Sequence, residues 1–355
     1  MKENKRIDWI DSVRGCLIIL IVIGHVIGGA ESSGFIQGSF WALLRRVIYM
    51  FHVPAFFVLS GFLWKSHNCD LSFGRSLKVF VVNKFNRLMV PYIFWGGVSV
   101  IIYCLLIEHS FSAIGIKMLC LLHGGGLNSV FRANGVLWFL PVMFSVIVIY
   151  EVVDTLVDWG KRWWVHLVFA IIGLYAHRFC VYRFGIDIFP FGFALALRYL
   201  SYMVLGRFAM RLIAGWKIEI SGLAGLVMSA VVFVILTFFE KETCASLVGD
   251  WMSWVIMIVV GAVMSLSFMM VSRMFDCRIL RLIGQHTLGI MLMHKFVVVA
   301  LETNSMKPFM TWNLFNGIIG VFVVSVSATT IALIASICIC KWCPILLGVS
   351  TDSNR

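Results

Sequence analysis

The sequence predicts an all-α membrane protein, a bundle of about ten transmembrane helices. Of its 355 residues, 61% are hydrophobic and only 13% are charged, and the mean hydropathy is +0.97. A soluble domain of this size does not reach such values. The apolar runs fill the chain without a linker, so we expect one membrane domain over 1–355, with its core at about 7–340 and a short cytoplasmic tail at 341–355.

The apolar runs, taken at about 20 residues each, define the individual helices. They predict spans near 10–30, 43–64, 90–108, 136–156, 163–181, 189–211, 218–239, 251–272, 282–301 and 313–340. Most of the 29 Lys and Arg residues fall in alternate connections, which favours an orientation with both termini in the cytoplasm. The net charge of +12 is spread between apolar runs and forms no single basic stripe, so it does not predict nucleic-acid binding.

The first span contains two ionisable residues, Arg14 and His25. Eleven residues make about three helical turns, so both side chains share one face, roughly 16 Å apart along the axis. Placing an ionisable side chain at the centre of the bilayer costs roughly 3 kcal/mol or more of free energy, which favours a functional role for such a residue. Two alternatives stay open: an Arg that snorkels to the surface beside a packed His, or a cleaved signal peptide ending near Gly28.

The second span carries Phe51-His52-Val53-Pro54, followed by Ser60-Gly61-Phe62. Pro54 cannot donate to the carbonyl of Met50, so we expect a kink that frees a backbone acceptor beside His52. Next to His25 on an adjacent helix, His52 becomes a candidate wall of a site; a packed histidine in a structural kink is the alternative.

Lys84 and Arg87 stand one turn apart where the third span is expected to begin. They are suited to hold an anionic group at the inner membrane surface. Ordinary positive-inside charge explains them equally well.

The ten cysteines indicate little about function, since most lie in apolar runs where free cysteine behaves as a small hydrophobe. Cys338, Cys340 and Cys343 form a cluster, but no second cluster supplies ligands. We therefore predict no metal site.

The motifs together resemble those of one known family. They are Asp11-x-x-Arg14-Gly15 with ten residues before His25, Phe51-His52-x-Pro54 with Ser60-Gly61-Phe62, Lys84-x-x-Arg87-Leu-x-x-Pro91-Tyr92, Trp138-Phe139-Leu140-Pro141, and Leu288-Gly289-Ile290-x-Leu-x-His294. In this order they resemble the acyltransferase 3 family. Its members are integral membrane O-acyltransferases, many of which decorate bacterial surface polysaccharides with acetyl groups.

The resemblance implies a multi-pass protein of the bacterial inner membrane, with acetyl-CoA as cytoplasmic donor. A hydroxyl of a cell-envelope polysaccharide or glycolipid would be the acceptor. The family's catalytic basic residue and histidine fall on Arg14 and His25, and its donor-binding pair falls on Lys84 and Arg87. Lys84 departs from the family's arginine and loses bidentate phosphate recognition.

Some members of the family carry an extracytoplasmic hydrolase-like domain after the membrane part. This chain ends about 15 residues after its last predicted helix. If transfer to the acceptor needs such a domain, a separate extracytoplasmic protein is expected to supply it.

Acyl transfer from a thioester to an alcohol needs a base for the hydroxyl or a nucleophile that carries the acyl group, and imidazole can do either. His25 is the preferred candidate. The cavity around it is predicted to involve His52, Ser60, Trp138 and His294. At least one of His52 and His294 should approach His25, because a neutral imidazole in hydrocarbon needs protein or water partners.

Other interpretations of the sequence remain. A secondary transporter or flippase for a glycolipid or small anionic solute would also place polar residues inside the membrane. Within the acyltransferase hypothesis, a succinyl or longer acyl group is as compatible with the sequence as acetyl.

Overall fold

The computed structural model is all-α over the residues it describes, which are 8–65, 73–106, 108–123, 134–157, 159–184, 189–216, 224, 225, 227, 228, 231, 241–302 and 314–349. Its helices are α1 Asp8–Ser32, α2 Ser39–Phe62, α3 Phe73–Leu106, α4 Ala113–His123, α5 Phe139–Leu156, α6 Trp159–Phe184, α7 Phe193–Trp216, α8 Lys241–Met274, α9 Arg278–Gln285, α10 Thr287–Glu302 and α11 Leu314–Trp342. Short 3-10 turns occupy Gly135–Trp138, Pro190–Gly192 and Pro344–Leu347.

The predicted class, an all-α polytopic membrane protein, is confirmed. Within the described ranges, seven helices are long and apolar enough to cross a membrane, and the pair α9 and α10 can form an eighth crossing. The predicted span at 218–239 lies almost entirely outside the described residues. The span predicted at 189–211 corresponds to α7, which is not among the seven.

The third span begins much earlier than predicted. We expected a helix at 90–108, and α3 is continuous over Phe73–Leu106, 34 residues. At 1.5 Å per residue this is about 50 Å, well beyond the roughly 30 Å of a hydrocarbon core. Lys84 and Arg87 therefore lie inside a helix and not at its start. Lys and Arg are good helix formers, so charge ends the apolar run without ending the helix.

The span predicted at 282–301 is not one continuous helix. The chain breaks at His286, between α9 and α10. The hydroxyl of Thr287 donates to the carbonyl of Gly284 at 2.7 Å, which satisfies one of the carbonyls left open where α9 ends.

The chain divides into two compact units. Unit 1 comprises residues 1–24, 37–64 and 202–287, and unit 2 comprises residues 25–36, 65–201 and 288–355. In unit 1, α2 packs along α8 and against the second half of α7. The α2–α7 contact is made at backbone distance: a Cβ on Gly61 would overlap the carbonyl oxygen of Met203, and one on Gly206 would overlap that of Val58. Small residues are what lets membrane helices approach this closely.

Unit 2 is built around α3, which packs against α4, α5 and the 3-10 turn at Pro344–Leu347. The hydroxyl of Tyr92 donates to the carbonyl of Leu121 at 2.9 Å, tying α3 to α4. The indole nitrogen of Trp95 donates to the carbonyl of Leu346 at 3.1 Å. The first part of the predicted tail is thus packed on α3, while residues 350–355 lie outside the described chain.

Candidate active site

Arg14 lies in unit 1, where α1 and α9 cross with their backbones in contact. Its guanidinium is 3.4 Å from the carboxylate of Asp11, which is itself buried. A Cβ on Gly15 would overlap the carbonyl of Leu280, and one on Gly284 would overlap the carbonyl of Asp11. The string Asp-x-x-Arg-Gly thus combines a partner for the cation with the glycine that the helix crossing requires.

The same end of α1 is held by an ion network that the sequence analysis missed. Arg281 binds both oxygens of the Asp276 carboxylate, at 2.8 and 2.5 Å, and reaches Asp8 at 2.6 Å. The hydroxyl of Ser12 donates to Asp276 as well. These hydrogen bonds, from Arg281 first and Ser12 second, lower the pKa of Asp276 from its ordinary value of 3.8 to about 2. The network therefore holds the start of α1, which carries Arg14, in a fixed position.

His25 and His294 meet in unit 2. Their ring centroids are 5.5 Å apart and their planes are tilted by 39°. His25 is half-buried and His294 is fully buried, with 0% of its surface exposed. The two imidazoles come from α1 and α10, which are separated by most of the chain in sequence.

The hydrogen bonding of His294 fixes its tautomer. Its Nδ1 lies 2.9 Å from the carbonyl oxygen of Ile290, and a carbonyl can only accept. Nδ1 therefore carries the proton and Nε2 carries a lone pair. Nε2 is buried and has no hydrogen-bond partner among the described residues. An unsatisfied buried acceptor of this kind costs about 1–3 kcal/mol, so its presence asks for an explanation.

A second buried acceptor belongs to Asn134, which the sequence analysis did not single out. Asn134 precedes the 3-10 turn before α5, is 0% exposed, and donates from Nδ2 to the carbonyl of Leu292 on α10 at 2.8 Å. This bond fixes the amide orientation, and Oδ1 has no partner among the described residues. A neutral Asn outside an apolar run gives no signal in a search for ionisable residues at membrane depth.

His52 and Ser60 lie on α2 in unit 1, and both bond within their own helix. Nδ1 of His52 lies 2.7 Å from the carbonyl of Ile48, and the hydroxyl of Ser60 donates to Phe56 at 2.7 Å. The acceptor used by His52 is thus the carbonyl one turn earlier, not that of Met50 as the predicted proline kink suggested. His52 also packs on Tyr49, with ring centroids 4.9 Å apart.

The two residues of the candidate donor-binding pair in unit 2, Lys84 and Arg87, differ in exposure and in the charges around them. Arg87 is exposed, whereas Lys84 is half-buried, with its ammonium over the ring of Phe80 at 5.1 Å. Lys84 also interacts with the carboxylate of Glu151 on α5. Of the two cations Arg87 is the more exposed, and Lys84 lies near the buried carboxylate of Glu151.

Glu151 belongs to a buried polar group that the sequence could have indicated. It lies with Asp154 one turn further on α5, and His166 of α6 approaches Asp154 at 3.5 Å. All three side chains are buried. Two carboxylates inside the predicted span at 136–156 met the same criterion that singled out Arg14 and His25.

Trp138 ends the 3-10 turn that follows Asn134. Its ring packs against Tyr199 of α7, with centroids 5.8 Å apart, and the guanidinium of Arg198 lies 5.8 Å from the Tyr199 ring. Trp138 is thus part of an aromatic and cationic cluster in unit 2. Of the predicted site residues, the structure brings His294 to His25, and it places Arg14, His52 and Ser60 in unit 1.

No group of three or more His, Cys, Asp or Glu side chains within the described part of the chain is arranged to hold a metal ion.

The class of protein follows from comparison with known families. The profile of the acyltransferase 3 family, described as an acyltransferase domain, matches residues 7–337. The chain therefore belongs to this family of membrane acyltransferases, and the resemblance seen in the motifs is confirmed.

Among curated proteins, the chain is similar to nodulation protein NolL of Sinorhizobium fredii (strain NBRC 101917 / NGR234), with 30% identity over 143 residues, 39% of this chain and 34% of that protein. It is also similar to nodulation protein NolL of Mesorhizobium japonicum (strain LMG 29417 / CECT 9101 / MAFF 303099), with 29% identity over 153 residues, 43% of this chain and 37% of that protein. The matched region spans little more than a third of each relative. No solved structure matches the chain significantly.

Proposed function

We propose that the protein is an O-acyltransferase of the bacterial inner membrane that moves a short acyl group from cytoplasmic acyl-CoA to a carbohydrate hydroxyl. Acetyl-CoA is the proposed donor, and a cell-surface polysaccharide or lipid-linked glycan is the proposed acceptor. Family membership supports the acyl-transfer chemistry.

The observation that carries the proposal is the pair of imidazoles in unit 2, the half-buried His25 and the buried His294, with ring centroids 5.5 Å apart. Acyl transfer at neutral pH needs a group that accepts a proton or carries the acyl group. A neutral imidazole does either, and the lone pair of His294 is already available.

The donor side of the proposal rests on exposed positive charge. CoA carries several phosphate charges, and arginine holds phosphate by two parallel N–H bonds. Arg87 offers an exposed guanidinium on α3, and Arg14 lies near the start of α1, the end predicted to face the cytoplasm. A transporter needs no acyl donor, so CoA-dependent chemistry separates the two functions.

Mass spectrometry of surface glycans from cells with and without the gene tests the proposal. We expect a carbohydrate species that loses one acyl group in the deletion strain and regains it on complementation. The mass difference identifies the acyl group. Identical glycans in both strains, with acyl-CoA consumption by isolated membranes also unchanged, would contradict the proposed function.

A further inference from the structure

The strongest unexplained feature of unit 2 is two buried acceptor atoms, one on α10 and one on a residue that is hydrogen-bonded to α10. They are Nε2 of His294 and Oδ1 of Asn134, and neither has a hydrogen-bond partner among the described residues. The donor atom of each side chain is already committed, to the carbonyls of Ile290 and Leu292 respectively. Both side chains are 0% exposed, so bulk water does not satisfy the two acceptors.

Because both unsatisfied atoms are hydrogen-bond acceptors, they restrict the chemical class of a ligand that could bind there. Two acceptors require donors, and a phosphate or a thioester carbonyl offers none. Of the donor, only the N–H and hydroxyl groups of its pantetheine, ribose and adenine parts can pair with these atoms, and the acetyl-CoA binding measurement described below distinguishes that case. A sugar presents neighbouring hydroxyls, each able to donate one hydrogen bond, which matches two acceptors that lack donors.

We infer that Nε2 of His294 is the base that takes the proton of the acceptor hydroxyl, and that Oδ1 of Asn134 binds a second hydroxyl of the same sugar. The inference rests on the proposed function and assigns its acceptor side. His25, with its ring centroid 5.5 Å from that of His294, then faces the acyl group.

The bonds and protons of this step balance without another reactant. The hydroxyl oxygen forms a bond to the acyl carbon as its proton passes to Nε2 of His294, and the carbon–sulfur bond of the thioester breaks. His294 then returns the proton to the departing thiolate, which gives free CoA and the acylated sugar. Nδ1 keeps its bond to Ile290 throughout, so the ring stays oriented.

His177 supplies a matched control. It is also a buried histidine of unit 2, and its Nδ1 lies 2.7 Å from the carbonyl of Ala194. It belongs to α6 and has no proposed catalytic role. A change there tests the effect of losing a buried, backbone-bonded imidazole as such.

The experiment uses membranes from a strain whose own copy is replaced by the full-length variants His294→Gln and His177→Gln. Label transferred from radiolabelled acetyl-CoA to the carbohydrate fraction is measured per amount of protein. Binding of acetyl-CoA is followed separately, as the upward shift in Tm of each purified protein. Loss of a general base predicts roughly a 10²- to 10⁴-fold fall in transfer for His294→Gln, with the Tm shift retained. His177→Gln should keep both.

Several outcomes overturn the inference. Transfer by His294→Gln within about twofold of wild type excludes a base at this position. If His294→Gln loses both the acetyl-CoA-induced shift in Tm and the transfer of label, His294 has a structural role. If His294→Gln does not accumulate, His294→Ala membranes are assayed with added imidazole: recovery of transfer supports the base, and failure to recover overturns it. Absence of transfer by the wild type, in contrast, refutes the proposed function itself.

Asn134 is tested by comparing Asn134→Asp with Asn134→Ala. The aspartate keeps an acceptor oxygen, so it should retain more transfer than alanine, which should lose roughly tenfold, the effect of about one hydrogen bond. Equal losses in both variants would show that Asn134 only anchors α10, and no loss in either would remove it from the acceptor site.

Discussion

At the scale of single residues, neighbours on one helix differ in the charge they can offer to a ligand. Arg87 is exposed, and Lys84 is half-buried beside Glu151. A half-buried lysine near a carboxylate is less accessible to a phosphate than an exposed arginine, so we expect the two side chains to affect different measurements.

The change Arg87→Ala should weaken acetyl-CoA binding by roughly 10- to 100-fold, the worth of one charge-assisted phosphate contact. Lys84→Ala should weaken binding less and lower the Tm more, because it removes a half-buried side chain that packs over Phe80 and a positive charge near the buried carboxylate of Glu151. Calorimetry and thermal unfolding of the purified variants measure both effects. Lys78→Ala, at an exposed position of the same helix, is the control. Equal and negligible effects at positions 84 and 87 would return both residues to a role in topology alone.

The sequence predicted that at least one of His52 and His294 approaches His25, but it could not decide which of the two does. Hydropathy marks an ionisable group as unusual, whereas the partner depends on which helices pack together. Asn134 shows the limit of this approach, because a neutral amide is recognisable only once its hydrogen bonds are known. The sequence could have indicated Glu151 and Asp154, since both interrupt an apolar run.

At the scale of elements, the crossing of α1 and α9 depends on two glycines. A Cβ on Gly284 would lie 1.8 Å from the carbonyl oxygen of Asp11, and backbone cannot move aside as a flexible side chain can. Gly284→Ala should therefore destabilise the protein by roughly 1–3 kcal/mol, the usual cost of overpacking. Thermal unfolding in detergent measures this. Gly74→Ala, at a helical position where an added Cβ would have no described neighbour within 4 Å, is the matched control and should be neutral or slightly stabilising. A neutral Gly284→Ala would show that α9 does not pack on α1 as described.

The ion network beside this crossing predicts an acid transition. The pKa of Asp276 is depressed from 3.8 to about 2 in the folded protein. Its contribution to stability is therefore fully present above pH 3.8 and is lost as the pH falls towards 2. The difference in Tm between wild type and Asp276→Asn should shrink over this interval and be constant between pH 5 and 7, roughly one pH unit or more above the transition. A difference that does not change between pH 5 and 2 would contradict the assigned network.

Helix boundaries show where hydropathy predicts elements well and where it does not. The apolar runs located α1, α2 and α5 within a few residues, because each run ends where its helix ends. The α3 helix continues through charged residues, and the segment at 282–301 breaks at His286, since Gly284 packs against α1 and Thr287 binds the freed carbonyl. Helix propensity and capping decide these boundaries, and neither contributes to hydropathy.

At the scale of the whole molecule, family membership and the helical membrane architecture define an acyltransferase embedded in the bilayer. The direction of transfer depends on topology, which the distribution of Lys and Arg predicts as N-in and C-in. Fusions of a reporter active only outside the cytoplasm to each terminus should both be inactive, and cytoplasmic reporters should both be active. An active external reporter at either terminus would contradict the predicted topology. At the N-terminus it would place Arg14, a proposed donor-binding residue, near the side opposite to cytoplasmic acyl-CoA.

The central claim is that the imidazole pair of His25 and His294 supports acyl transfer within the membrane, with His25 at the acyl group. Its most direct test is transfer of label from acetyl-CoA to membrane carbohydrate by wild-type and His25→Ala protein, compared at equal protein amounts. We expect His25→Ala to lose transfer completely while it accumulates in the membrane at a near-normal level, as His177→Gln also should. Transfer by His25→Ala at the wild-type rate would contradict the account.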